Sequence, residues 1–328
     1  MKFIKFLLAI GAVALLCSCS KSALKVSDYM PINADETSYF DGSDEQISYS
    51  AFTTYIDGNR YQQNYYSSFA NPAEVYELKD GKLTLVYELF QAYSPQSFLN
   101  EPSNVNLIVL CEPLKKGAKW TRIAGETAEI TAVDKKITVP YGELSALEVT
   151  VTRADGTINK EYYAKGRGKI RLEYVSVTEE KTQAGEVLSS SQTDVSQSLS
   201  EVVKGARAAN FVRFFVDEIA PGGLGNEVSP ISIPTNADID KLFAEKLSIG
   251  EFTATVNAAD YTAVIAIPAD FADGLTGALD FYAFTNTVCY FYGLNAVNVT
   301  VDGKTLLMDG VDSENGYVSF LAPPEEEE

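Results

Sequence analysis

Histidine is absent from the 328 residues, tryptophan occurs once and cysteine four times. Without histidine the chain cannot form a Ser-His-Asp or Cys-His catalytic centre, an HExxH zinc site or an imidazole proton relay. The sequence also lacks a Walker loop, a GxGxxG segment after a strand and a GxSxG elbow. We therefore predict that the protein is not an enzyme and holds no cofactor. A hydrolase that works through carboxylates is the remaining catalytic alternative.

Positive charge is scarce, because 26 Lys and Arg residues stand against 45 Asp and Glu residues and give a formal net charge of −19. Such an excess repels phosphate backbones, so nucleic acid is not an expected partner. The acidic turns at residues 41–45 and 309–315 offer oxygen ligands but lack the spacing of an EF-hand loop. They are predicted to be solvated turns, and no metal site is expected.

Long apolar segments are also few, and the clearest one, residues 6–16, follows Lys2 and Lys5. Eleven apolar residues are too few to span a hydrocarbon core of about 30 Å, but they suit the core of a cleavable signal peptide. The motif Leu16-Cys17-Ser18-Cys19 resembles a bacterial lipobox, in which a small residue precedes the cysteine that receives the lipid. Cys19 is therefore the predicted lipid attachment site. An ordinary secretory signal is the alternative.

This assignment predicts a signal peptide over residues 1–18 and a polar tether over residues 19–36. Acyl chains such as palmitate would then hold the protein at the extracytoplasmic face of the cell membrane. Of the cysteines, only Cys111 and Cys289 remain for the folded part of the chain. We predict them in different domains, which implies no disulfide framework.

Two domains are expected in the mature chain. Residues 37–204 are predicted to form an antiparallel β-rich module, because Asp-Gly pairs that favour tight turns stand between alternating apolar residues. The clearest hairpin surrounds Asp80-Gly81. Residues 211–316 are predicted to form an α/β domain of order β-α-β-β-α-β, with its first helix beginning near Thr235-Asn236 and its second over residues 275–292. Residues 317–328 are predicted to be an acidic tail.

The α/β segment resembles the GerMN domain of sporulation and germination lipoproteins from spore-forming Firmicutes. The resemblance spans residues 211–310 and is carried by four motifs in order. They are Thr235-Asn236-Ala237-Asp238, the strand at residues 261–268, Thr285-Asn286-Thr287-Val288, and the strand with its turn at residues 297–304. The segments at residues 114–120, 146–150 and 161–166 are similar to the β-rich module that precedes such domains. The resemblance implies a non-catalytic envelope protein that works through protein contacts.

Aromatic residues suggest two candidate surfaces. The second predicted helix carries aromatics on nearly every face, which indicates either burial on both sides or a patch for a partner. Its candidate partner-binding residues are Tyr282, Phe284, Tyr290 and Tyr292. The stretch at residues 39–69 contains nine Tyr and Phe residues. These would either pack across a sheet or stack on sugar rings of cell-wall glycan.

The sequence therefore predicts a membrane-anchored extracytoplasmic lipoprotein with a GerMN domain. Its predicted role is that of a protein-interaction or scaffold component of the cell envelope, with envelope or sporulation proteins as partners. The alternative is a lipoprotein that binds peptidoglycan or another cell-wall ligand through the aromatics at residues 39–69.

Overall fold

The computed structural model describes residues 23–68, 70–92, 95–181, 187–205, 207–220, 223–257 and 259–321. The predictions for the signal peptide at residues 1–18, for Cys19 and for most of the acidic tail lie outside these ranges. Strands dominate the described part of the chain. Cys111 and Cys289 are both free thiols, and burial raises the pKa of Cys289 to about 12.

Twelve antiparallel strands form one large sheet over residues 36–204. Alternation along each strand places one set of side chains inside the curled sheet and the other set outside. The strands are β1 (Glu36–Gly42), β2 (Tyr49–Asp57), β3 (Arg60–Ser67), β4 (Ala73–Lys79), β5 (Lys82–Leu89), β6 (Leu107–Cys111), β7 (Lys119–Ile123), β8 (Glu126–Val139), β9 (Gly142–Arg153), β10 (Ile158–Ala164), β11 (Gly168–Lys181) and β12 (Val187–Lys204).

The sheet is a nearly closed barrel in which neighbours in the chain are neighbours in space. Strand β12 returns to pair with β1, from Glu36 opposite Lys204 to Gly42 opposite Gln197. Within the described ranges, β6 and β7 are adjacent but share no ladder of backbone hydrogen bonds. The indole Nε1 of Trp120 on β7 instead donates to the carbonyl of Ile108 on β6 at 3.0 Å. The only tryptophan thus lies across the open seam of the barrel.

Tight turns connect the strands where the sequence predicts them. The hairpin of β4 and β5 is confirmed, because Asp80 and Gly81 adopt the left-handed φ values of +50° and +69° that such a turn requires. A short helix, α1 (Val26–Tyr29), precedes β1, and Val26 and Tyr29 are buried in the apolar core of the barrel. Residues 26–29 are therefore packed against the barrel, whereas the sequence predicted a polar tether over residues 19–36.

The chain after the barrel forms two further, smaller sheets and three helices. Among the described residues, strands β13 (Arg207–Ala220) and β14 (Gly223–Ile233) pair only with each other. A second sheet contains β15 (Thr253–Asn257), β16 (Thr262–Ala266), β17 (Ala296–Val301), β18 (Lys304–Thr305) and β19 (Val318–Ser319), with β16 and β17 parallel. The helices are α2 (Ile239–Leu247), α3 (Ala269–Ala272) and α4 (Ala278–Tyr292). None of the described helices is both long and apolar enough to cross a membrane.

The predicted fold class, an antiparallel N-terminal module followed by a β-α-β-β-α-β domain, is wrong. The molecule is mostly β, and its main feature is one twelve-stranded barrel-like sheet. The segment predicted as the first strand of the α/β domain belongs to β13 and pairs with β14, a strand that was not predicted from the sequence. Strand β14 gives a weak sequence signal because it contains two glycines and Pro230, residues that are disfavoured inside strands.

The barrel and the C-terminal region meet at the residues that precede α2. The backbone N–H of Asn236 donates to the carbonyl of Thr54 at 2.8 Å, and its side-chain oxygen accepts from the N–H of Ile56 at 2.7 Å. The Thr235 hydroxyl donates to the carbonyl of Thr53 at 2.7 Å. These contacts attach the backbone of β2 to the start of α2. Helix α2 itself is capped by Asp238, whose carboxylate accepts from the N–H of Lys241.

Candidate functional site

The interior of the barrel contains a cavity of about 1030 Å³. Barrel diameter grows with strand number, and an eight-stranded barrel is just filled by its own side chains, so twelve strands leave room for a ligand. The 3₁₀ turn Glu45–Ile47 and the segment at residues 67–72 border the cavity. Its lining consists of Gln46, Ile47, Tyr49, Tyr65, Ser67, Ser68, Ala70, Pro72, Glu74, Tyr76, Leu85, Glu88, Leu107, Val109, Arg122, Glu161, Tyr163, Lys169 and Gln197.

A row of aromatic rings crosses one wall of the cavity. Phe40 on β1 stacks on Tyr49 at 4.5 Å between ring centroids, and Tyr49 lies 5.8 Å from Tyr65 on β3. The hydroxyls of Tyr65 and Tyr76 are 3.1 Å apart, and the ring of Tyr76 stacks on Tyr61 at 5.3 Å. Part of the aromatic stretch at residues 39–69 therefore packs across the sheet and at the same time faces the cavity.

A buried ion pair lies on another part of the lining. Arg122 on β7 donates through Nη1 to the Glu161 carboxylate on β10 at 3.0 Å, and both side chains are more than 90% buried. Burial by itself raises the pKa of Glu161. The charges of Arg122 and Lys169, with hydrogen bonds from Tyr163 and Arg122, outweigh it and hold that pKa below its usual range. Glu161 is therefore ionised at neutral pH.

Arg122 also has a buried donor group that the described residues do not satisfy. Its Nε–H is buried and has no hydrogen-bond partner among the described residues. A buried donor without a partner costs about 1–3 kcal/mol. An acceptor atom of a ligand in the cavity would remove that cost.

Two carboxylates face each other across β4 and β5. Glu74 pairs in register with Glu88, and both line the cavity. Like charges directly opposite on neighbouring strands are destabilising. Burial, and then the charge of Glu74, raise the pKa of Glu88. Glu74 accepts a hydrogen bond from the Tyr76 hydroxyl. No Lys or Arg within the described ranges forms an ion pair with Glu74 or Glu88.

The residues predicted for partner binding are mostly core residues. Phe284 and Tyr292 are buried, and the Tyr292 hydroxyl donates to Asp240 at 2.8 Å. The Tyr282 hydroxyl accepts from the N–H of Asp312, whereas Tyr290 is 37% exposed and packs edge-on against Phe215. Helix α4 packs against β13 and β17, so the alternative of burial on both sides holds for most of its aromatics.

The charged residues of the cavity could not be identified from the sequence. Glu74 and Glu88 lie on the hairpin of β4 and β5, Glu161 and Lys169 on the hairpin of β10 and β11, and Arg122 on β7, so the two hairpins are about 70 residues apart in the chain. Alternation along β4 or β10 shows that one face differs from the other, but it does not show which face points into a barrel. Within the described ranges, no group of three His, Cys, Asp or Glu side chains is arranged to hold a metal ion.

Comparisons with known proteins give little further information. No family model matches the chain, and no curated protein matches it. The chain is similar to a solved structure described as a "putative lipoprotein" from Parabacteroides distasonis ATCC 8503. The two are 12% identical, with a TM-score of 0.29, over 52% of this chain and 96% of that chain. This likeness is too low to assign a fold or a function.

Proposed function

We propose that the protein is a lipid-anchored, extracytoplasmic, non-catalytic protein that binds a small ligand inside its barrel. The cavity of about 1030 Å³ is the observation that carries this proposal. Ligand sites are typically concave, about 300–1,000 Å³ in volume, and lined by apolar and aromatic groups with a few polar groups. The lining here has this composition, with Leu85, Leu107 and Val109 beside tyrosines and buried charges.

The proposal follows the alternative that the sequence left open, a ligand-binding lipoprotein that uses aromatics from residues 39–69. Tyr49 and Tyr65 from that stretch line the cavity. The scaffold role through helix α4 is less favoured, since Phe284 and Tyr292 are buried. The GerMN resemblance and a role in sporulation remain predictions from the sequence.

Adding bulk at the border of the cavity is expected to abolish ligand uptake. In the variant Ala70→Trp, an indole replaces a methyl group in the segment that borders the cavity. We expect protein purified from its own cells to carry a co-purifying small molecule, detected by native mass spectrometry, and the variant to carry little or none. The matched control is Ala154→Trp in the exposed turn between β9 and β10, which should retain it. Equal ligand content in both variants would contradict the proposal.

The membrane anchor is tested separately. The variant Cys19→Ala removes the predicted attachment site, and we expect the protein to move from the membrane fraction to the soluble fraction. Two acyl chains give stable anchoring, whereas no chain leaves the folded part without an anchor. The control Cys111→Ala changes a thiol in the barrel and should leave the protein in the membrane fraction. Fractionation of cells followed by immunoblotting measures the distribution. A membrane-bound Cys19→Ala variant would refute the lipid anchor at this position.

A further inference from the structure

The charged residues of the cavity are separated by sign. In the circular order of the twelve strands, β4 and β5 lie six positions from β10 and β11, so they form opposite walls of the barrel. Glu74 and Glu88 lie on the first wall, and Lys169 lies on the second. Glu161 on the second wall already pairs with Arg122 from β7. One side of the cavity is therefore purely negative, while the other has an excess of positive charge.

On each side of the cavity, charged side chains lack a partner of opposite charge or a hydrogen-bond partner within the described residues. Glu74 and Glu88 repel each other, and a cation between them would remove that repulsion. On the other side, the buried Nε–H of Arg122 lacks an acceptor among the described residues, and Lys169 forms no ion pair within those residues. An anionic oxygen of a ligand would accept a hydrogen bond from the Nε–H of Arg122 and balance the charge of Lys169. The two unsatisfied groups have opposite requirements and share one cavity.

We infer that the cavity binds a zwitterionic ligand of peptide character, with its amine at Glu74 and Glu88 and its carboxylate at Arg122 and Lys169. This inference rests on the proposed function of the barrel. A peptide of four residues spans about 13–14 Å when extended and carries one charge at each end. Polar side chains of the lining would pair with the peptide amide groups. They are Gln46, Ser67, Ser68 and Gln197.

The test uses the full-length protein in detergent and isothermal titration calorimetry. The probes are tetra-alanine, its N-acetylated form, its C-amidated form and the uncharged sugar chitotetraose. We expect tetra-alanine to bind at least tenfold more tightly than either blocked peptide. Blocking one end removes one of the two charge contacts while the length of the ligand hardly changes.

Variants assign each end of the ligand to its wall. Glu74→Gln combined with Glu88→Gln is expected to weaken tetra-alanine at least tenfold and to leave the weak binding of the N-acetylated peptide unchanged. Lys169→Met should weaken tetra-alanine and leave the C-amidated peptide unchanged. The controls Glu201→Gln and Lys136→Met change exposed residues outside the cavity lining and should alter neither. Thermal unfolding of each variant without peptide checks that the fold is retained.

The outcomes separate this inference from the proposed function. Equal binding of free and blocked peptides, or binding of chitotetraose alone, would overturn the zwitterionic ligand while the barrel remained a binding site. The zwitterionic ligand would also be overturned if none of the four probes binds and the protein co-purifies with a small molecule that lacks an amine or a carboxylate. If no probe binds and no small molecule co-purifies, both proposals fall.

Discussion

Replacing Arg122 with methionine is expected to lower the free energy of unfolding by about 3–5 kcal/mol. The side chains of Arg122 and Glu161 are 9% and 8% exposed, so the substitution leaves the Glu161 carboxylate buried without its main cation. Lys169 contributes charge near Glu161 but forms no ion pair with it within the described residues. Urea denaturation followed by circular dichroism measures the loss, because the far-ultraviolet signal is dominated by strands.

The size of this loss is expected to depend on pH. In the parent protein the folded-state pKa of Glu161 is depressed, so its contribution to stability is present above the unfolded pKa of about 4.3 and is lost as pH falls. In Arg122→Met the pKa of the buried Glu161 rises instead. The difference between the two proteins is therefore largest at neutral pH and shrinks as the pH falls to about 4. A difference that stays constant from pH 7 to pH 4 would contradict this account.

Two matched variants identify the buried charge as the cause. Lys136→Met breaks the pair with Glu143, whose side chains are 69% and 62% exposed, and such surface pairs contribute only about 0–1 kcal/mol. Adding Glu161→Gln to Arg122→Met removes the orphaned charge and should recover part of the loss. If the double variant is as unstable as the single one, lost packing of the arginine rather than the unpaired carboxylate explains the effect.

Replacing Phe243 with alanine is expected to destabilise the C-terminal region by about 3–5 kcal/mol. Phe243 on α2 is fully buried and lies against three other rings. It stacks on Phe291 at 4.5 Å and meets Phe252 and Tyr292 edge-on at 5.1 Å and 5.4 Å. Truncation leaves a cavity among these rings, which rigid aromatic neighbours fill poorly. The control Leu307→Ala changes a side chain that is 65% exposed and should change stability by less than about 0.5 kcal/mol.

Trp120 allows the two regions to be followed separately. It packs against the core of the barrel, whereas Phe243 belongs to a different core cluster formed by the helices and sheets after residue 211. We expect Phe243→Ala to lower the urea concentration at which the C-terminal region unfolds, as followed by circular dichroism. The urea midpoint of the Trp120 fluorescence change, which reports on the barrel, should move much less. Equal shifts of both signals would mean that the barrel and the C-terminal region unfold as one cooperative unit through the contacts of Asn236 with β2.

The parts of the fold that were predicted correctly depend on a few neighbouring residues. The turn at Asp80-Gly81 requires positive φ, and these two residue types adopt it readily. Helix α4 was predicted over residues 275–292 and extends over Ala278–Tyr292. Its apolar content was compatible with burial on both sides or with a partner-binding patch, and the structure buries most of its residues.

The incorrect or missing parts depend on contacts between distant residues. Pairing of Glu36 with Lys204 brings the two ends of the barrel segment together, and no local pattern in β1 or β12 specifies that partner. Strand β14 was missed because its pairing with β13 overrides the low strand propensity of its glycines and proline. The predicted α/β domain was wrong for the same reason, since the order of helices and strands does not determine which strands share a sheet.

By itself, the sequence determined the absence of histidine chemistry, the lipobox pattern at Cys19, the tight turns and the apolar character of helix α4. Each of these properties depends on residue identity or on dihedral preferences within a few positions. Tertiary structure alone decided that twelve strands curl into a barrel, that a cavity remains beside its apolar core, and that Glu74 faces Glu88 across from Lys169. A cavity is a property of the closed sheet, because its lining residues become neighbours only when the distant strands pair.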